Sequence, residues 1–160
     1  MKTLSTFFSC GFLLILLFSW QQCTGQTTTF NMDEKANPYV LVQLKAVSSK
    51  QDSLQSANVI KAGVEQIKAI NTKLGYEPFD KKIASFTLTS KGKNTTYLAV
   101  RNFKDLTEAE AYSYDIWKEI PKSMYGKIGE PFPISPANYK TCVAEKDIDG
   151  YYKYYSSTRK

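Results

Sequence analysis

The chain contains no histidine. That absence removes the imidazole base on which serine and cysteine nucleophiles usually depend, and with it the common histidine-ligated metal centres. Cysteine is nearly as scarce: Cys10 and Cys23 lie in the first 25 residues, and only Cys142 follows them. A chain processed after residue 25 therefore holds no internal disulfide and depends on its core for stability. A glycine-rich phosphate loop is missing too, since Lys91-Gly92-Lys93 has neither the glycine spacing nor the following helix that such a loop needs. Two acidic pairs, Glu108 with Glu110 and Asp147 with Asp149, fall at expected helix starts and turns and read as caps and solvated charge. No catalytic residue, metal site or cofactor is expected, and the chain does not read as an enzyme.

The chain also lacks an apolar run of the roughly 20 residues that a membrane-spanning helix requires. Its longest, Phe12–Phe18 (FLLILLF), follows Lys2 and precedes Gly25, so residues 1–25 read as a secretory signal cleaved at Gly25–Gln26. A lipidated Cys23 is the rival reading. Trp20-Gln21-Gln22 before it are larger and more polar than a lipobox accepts, so the mature protein is expected to be exported, periplasmic or envelope-associated, without a transmembrane segment. Positive charge dominates, with 21 Lys and Arg against 15 Asp and Glu. The signal removes only Lys2 of these. Such a surface is either simply solvated or suited to an anionic polymer or an acidic protein face, and export argues against nucleic acid. The expected organisation is a signal peptide over 1–25, a flexible leader over 26–37 and a single α+β domain over 38–160.

In the domain, Tyr39–Leu44 (YVLVQL) is apolar on both alternating faces and reads as a central strand. Leu54–Leu74 places Ala57, Ile60, Val64, Ile67, Ile70 and Leu74 on one helical face, and Gly75 follows as its C-terminal cap. Gly63 within it is suited to close packing. Ile83–Phe103 reads as a β-hairpin closed by a Lys/Gly/Asn-rich turn. Ala84, Phe86 and Leu88 share one face of its first strand; Leu98 and Val100 oppose Tyr97, Ala99 and Arg101 in its second. One hairpin face is expected to be buried and the other at least partly wet. Asn94-Thr95-Thr96 matches a glycosylation triplet but reads as turn chemistry.

Thr107 and Glu110 have the spacing of a capping box for a second helix ending at Ile120, because Pro121 cannot continue it. Its stripe is Ala109, Tyr112, Ile116 and Ile120, with Tyr114 and Trp117 beside it. Lys122–Gly129 reads as a flexible basic loop and Glu130–Ser135 (EPFPIS) as a short strand that Pro133 confines to an edge. Ser135-Pro136 is a good helix start. A break is expected near Asp147–Gly150, then a last helical segment with Tyr151, Tyr152, Tyr154 and Tyr155, which cannot all face inward. The whole is expected to be a ferredoxin-like β-α-β-β-α-β sandwich with both main helices on one sheet face and C-terminal helical segments appended. Leu41, Ile60, Val64, Ile67, Phe86, Leu88, Leu98, Val100 and Ile116 are its expected core.

Phe132, Ile134, Ser135, Asn138, Tyr139, Lys146, Asp147, Tyr151 and Tyr154 or Tyr155, with Val100-Arg101-Asn102-Phe103-Lys104 before the second helix, carry a resemblance across residues 38–157. The chain resembles the small module that closes long tetratricopeptide-repeat envelope proteins of Bacteroidota associated with type IX secretion and gliding. It departs from them in having its own signal and no repeat region, so roles that depend on the repeats do not carry over. The element order is also similar to the sporulation-related repeat fold, which in some families binds peptidoglycan glycan strands. The resemblance and the missing catalytic groups imply a binding module that docks on another cell-envelope protein, in a secretion or gliding assembly, through an open sheet face or through Tyr151, Tyr154 and Tyr155. The alternative is peptidoglycan, with Tyr97 and Arg101, aided by Thr87, stacking on sugar rings and pairing hydroxyls from the open face of the hairpin.

Overall fold

Tyr39–Leu44 forms the strand β1, and its two-sided apolar character has a simple cause: it lies inside a four-stranded antiparallel sheet of order β2-β3-β1-β4. The computed structural model describes residues 29–31, 37–45, 53–76 and 82–158; the signal segment and Cys23 lie outside them. After β1 come α1 (Ser53–Lys73), β2 (Ile83–Ser90), β3 (Lys93–Val100), α2 (Leu106–Glu119), a single 3-10 turn (Lys122–Met124), β4 (Phe132–Ile134), α3 (Pro136–Glu145) and α4 (Ile148–Thr158). β4 pairs with β1 alone, which leaves Pro133 on the edge where its missing N–H does least harm.

The hairpin divides the core in two. Lys91 and Gly92 both have positive φ, 48° and 75°, so the loop between Ser90 and Lys93 has the backbone of a type I′ turn, which matches the twist of the strands it joins. A two-residue loop leaves one register: Phe86 sits opposite Tyr97, and Ser85 opposite Leu98. Phe86 and Leu88 thus share a face with Tyr97 and Ala99, not with Leu98 and Val100. The expected single buried face is corrected accordingly, because a change of one residue in pairing exchanges the two sides of a strand.

On the first face, Val40, Val42, Leu44, Leu98 and Val100 pack against Ile67 and Ile70 of α1 and Ala109, Tyr112 and Ile116 of α2. Only the C-terminal half of the α1 stripe is deeply buried; Ile60 and Val64 are half-buried and Ala57 is exposed. A Cβ on Gly63 would stand 3.1 Å from Leu44 Cδ2, so the missing side chain lets α1 approach the sheet. The helix ends in a Schellman pattern around Gly75 (φ 78°), with the Tyr76 N–H donating to Asn71 O and the Gly75 N–H to Thr72 O. The expected capping box of α2 shifts by two residues. Asp105, not Thr107, is the N-cap and accepts from the Glu108 N–H, while Glu108 accepts from the Lys104 N–H.

On the second face, Leu41, Leu88, Tyr97, Ala99, Phe132 and Ile134 are covered by Cys142, Ile148 and Tyr151 from α3 and α4. Ser135 caps α3 by accepting from the Asn138 N–H, with Pro136 in the first turn. Lys146 then takes a left-handed conformation (φ 52°), and Asp147 accepts from the Gly150 N–H to start α4. The expected break therefore narrows to two residues, and Gly150 lies inside a helix. The C-terminal helices are a third layer that closes the face expected to be open. The loop after α2 is also more ordered than expected: Ile128 is buried and bridges to Leu44. Part of the leader is held as well, since Phe30 packs on the second core.

Candidate functional site

Tyr97 is 3% exposed and Tyr151 is fully buried, so neither offers a ring face to solvent. Tyr97 stacks on Phe86, and the Tyr151 hydroxyl donates to Pro133 O at 2.9 Å. Burial raises both phenols well above their ordinary value, with the nearby Asp149 adding to the effect at Tyr97. Thr87 lies on the opposite face, within hydrogen-bond distance of Thr96. The hairpin register thus separates the three residues expected to form one glycan platform. Arg101 is displaced as well, beyond the end of β3, with its guanidinium 5.3 Å from the Tyr39 ring centroid. With Tyr39, Lys104 and Pro136 it lines a recess of about 570 Å³.

Tyr154 and Tyr155 are half-buried on α4, and Tyr152 is the tyrosine of that helix most open to water, 37% exposed. Their placement follows from helical spacing. Tyr151 points into the sheet, Tyr155 one turn later stays beside it and also reaches Phe132, and Tyr154 leans toward Phe30. Tyr152 turns to the other flank, where its ring meets Phe132 edge-on at 5.2 Å and its hydroxyl donates to Glu130 Oε2 at 3.3 Å. Burial pushes the Tyr155 phenol up to about 12, and burial followed by the Glu130 charge raises that of Tyr152.

Beside Tyr152 opens a cleft of about 300 Å³, lined by Gln43, Lys45, Tyr97, Trp117, Gly129, Glu130, Phe132, Asp149 and Tyr152. Five elements (β1, β3, α2, β4 and α4) and the segments after β1 and before β4 bring these residues together. Gly129 closes against β1, its N–H donating to Gln43 O, and a Cβ there would lie 2.9 Å from Gln43 Cβ. Trp117 is braced by Tyr125, stacked at 4.6 Å. Asp149 accepts from the Ser90 hydroxyl at 3.3 Å. The cleft thus combines aromatic walls, neutral phenols, two carboxylates, an amide and one ammonium, a set that suits a guest with hydroxyl, amide or ammonium groups beside an apolar surface. Cys142 is remote from such chemistry, because burial and then Asp147 raise its thiol to about 12 and keep it protonated.

Of the expected site residues, only Tyr97 lines this cleft, and it does so from beneath. Trp117, Glu130, Asp149 and Tyr152 are the residues that sequence reasoning did not bring together. The one local signal was the surplus of tyrosines on α4; nothing in linear order links Trp117 of α2 to that surplus. Among the described residues, no helix is long and apolar enough to cross a membrane. No family model, curated protein or solved structure matches the chain.

Proposed function

We propose that the chain is a non-enzymatic, exported binding module on a ferredoxin-like scaffold, which docks on another cell-envelope protein through the cleft between Trp117 and Tyr152 and the tyrosine margin of α4. The β-α-β-β-α-β element order, with the sheet order β2-β3-β1-β4 and both main helices on one face, supports the scaffold reading. The signal-like residues 1–25 support export. The observation that carries docking is Tyr152. It keeps an exposed ring and a hydroxyl poised on Glu130 at the mouth of a cleft that buried aromatics could otherwise have filled, and tyrosines with one apolar face and one polar tip are enriched at interfaces.

Glycan-strand binding is the second reading, favoured by the aromatic rings of Trp117 and Tyr152 facing the same space as Gln43, Glu130 and Asp149. One paired experiment separates the two. The purified mature chain is used to capture proteins from envelope extract and, in parallel, is sedimented with peptidoglycan sacculi. Docking predicts a specific protein lost from the Tyr152→Ala bait by about ten-fold or more, the size of an interface hot spot, with thermal stability unchanged. Sacculus binding lost on Trp117→Ala, without a protein partner, would replace docking by the glycan reading.

A further inference from the structure

The leader residues Phe30 and Asn31 belong to no helix or strand, yet they are held between the first turn of α3 and the side of α4, a junction built of specific groups. Asn138 is 3% exposed and uses both ends of its side-chain amide on one residue. The Asn31 N–H donates to Asn138 Oδ1 at 3.1 Å, and Asn138 Nδ2 donates to Asn31 O at 2.7 Å. These bonds read main chain, while the Asn31 side chain is not needed for either. Phe30 supplies the apolar contact, its ring edge-on to Tyr151 at 5.2 Å and tilted on Tyr154 at 5.8 Å. The seat is organised independently of its occupant, because the Asn138 N–H is fixed by the Ser135 cap and the Tyr151 hydroxyl by Pro133.

We infer that this junction is a peptide seat, filled in cis by Phe30-Asn31, which accepts in trans an extended segment of an envelope partner that presents an aromatic residue followed by a residue with a backbone N–H. The inference rests on the docking reading above and names the partner's chemistry. Three features carry it. One ring plus paired main-chain bonds is how extended peptides are recognised in general. Release of the leader dissolves no element but leaves the buried Asn138 amide without the two partners described, so a replacement backbone is favoured over an empty seat. Finally, aromatic contacts run without interruption from the seat to the cleft: Phe30 to Tyr151, Tyr151 to Phe132, Phe132 to Tyr152. Tyr151 and Phe132 are buried, so this path couples the seat to the cleft through the core.

The probe is a fluorescent hexapeptide with the sequence of residues 27–32, Thr-Thr-Thr-Phe-Asn-Met, titrated into full mature chain and followed by anisotropy. The Phe30→Ala chain, whose own leader is weakened, should bind it at least about ten-fold more tightly than wild type, in which the tethered leader competes at high effective concentration. A peptide carrying Asn31→Pro lacks the donated N–H and should lose about ten-fold or more on the same protein; this control needs no variant of the buried Asn138. Equal binding by wild type and Phe30→Ala, equal binding of the two peptides, or no binding at all would each overturn the seat. Any of these would leave the Tyr152→Ala capture result standing, so failure of the seat is distinguishable from failure of docking.

Discussion

The two faces of the sheet are built from different materials. On the first, β-branched and aliphatic residues of β1 and β3 meet two helices of 21 and 14 residues, each ended by its own local signals. On the second, the cover consists of helices of 10 and 11 residues whose packing runs through rings: Phe86 with Tyr97 and Tyr139, Phe132 with Tyr151, Tyr152 and Tyr155, and Phe30 with Tyr151 and Tyr154. Helices this short are marginal by themselves and persist because their apolar faces are buried. Aliphatic packing fills space without direction, whereas tyrosines bring hydroxyls that must be placed. Both the cleft and the leader's seat accordingly adjoin the aromatic face. The first face holds the fold; the second holds the fold and also presents polar groups at its margins.

The largest expected effect tests the first face. Ile67 is fully buried among aliphatic groups, and Ile67→Asp places a carboxylate there with no charged partner. Its cost should consume much of the roughly 5–15 kcal/mol that holds an ordinary domain together, so calorimetry should show no cooperative transition. The same change at the half-exposed Val143 of α3 should alter the melting temperature little. A native transition in Ile67→Asp would put the principal core elsewhere.

A smaller effect separates packing from hydrogen bonding on the second face. Tyr151→Ala should cost about 3–5 kcal/mol in denaturant unfolding, the range of large-to-small aromatic changes in cores. Tyr151→Phe keeps the ring and removes only the hydroxyl, with its bond to Pro133 O and its interaction with the Asn138 side chain, for about 1 kcal/mol. Near-equal losses would mean that hydroxyl placement, not ring packing, holds α4 on the sheet.

The smallest effect concerns alkaline pH. Burial raises Tyr97, Tyr112 and Tyr151 above the ordinary 10.0 of a tyrosine. A raised folded-state value means that the unfolded chain loses its proton first. The stability contribution is therefore whole below about pH 10 and falls as pH climbs from there toward the folded values. Cys142, with an ordinary value of 9.0 and a folded value of about 12, begins the decline slightly earlier. Two of these three tyrosines and Cys142 belong to the second face. Replacing Tyr97 and Tyr151 together by Phe should flatten the loss of melting temperature between pH 9 and 11 more than Tyr112→Phe does. The reverse order would contradict the assignment of titrating groups to faces.

Much of the fold could be read in the order of residues because its causes are local. The alternation of Tyr39–Leu44, the 3.6-residue stripe from Ile67 to Ile70 and from Ala109 to Ile120, the stop at Pro121 and the start at Ser135-Pro136 each depend on a few neighbouring residues, and each appears where expected. The α2 cap was misread by two residues because Asp105-x-x-Glu108 and Thr107-x-x-Glu110 have the same spacing, and only the backbone geometry distinguishes them. The partition of the hairpin was legible in principle. Once Lys91-Gly92 is taken as a two-residue turn with both φ positive, Phe86 must stand across from Tyr97.

The candidate site was not legible in that way. Tyr97 and Arg101 share a strand face by periodicity, but what covers that face is decided by α3 and α4, which follow them by more than 30 residues. Periodicity states which residues of an element share a side; it carries no information on which side another layer will occupy. The sequence by itself determined the elements and the central place of β1, since these follow from backbone preferences and short-range hydrogen bonds. The tertiary structure alone decided that the aromatic face is closed, that Trp117, Glu130 and Tyr152 meet at one cleft, and that Asn138 holds the leader across 107 positions, because each depends on burying apolar surface between segments remote in the chain.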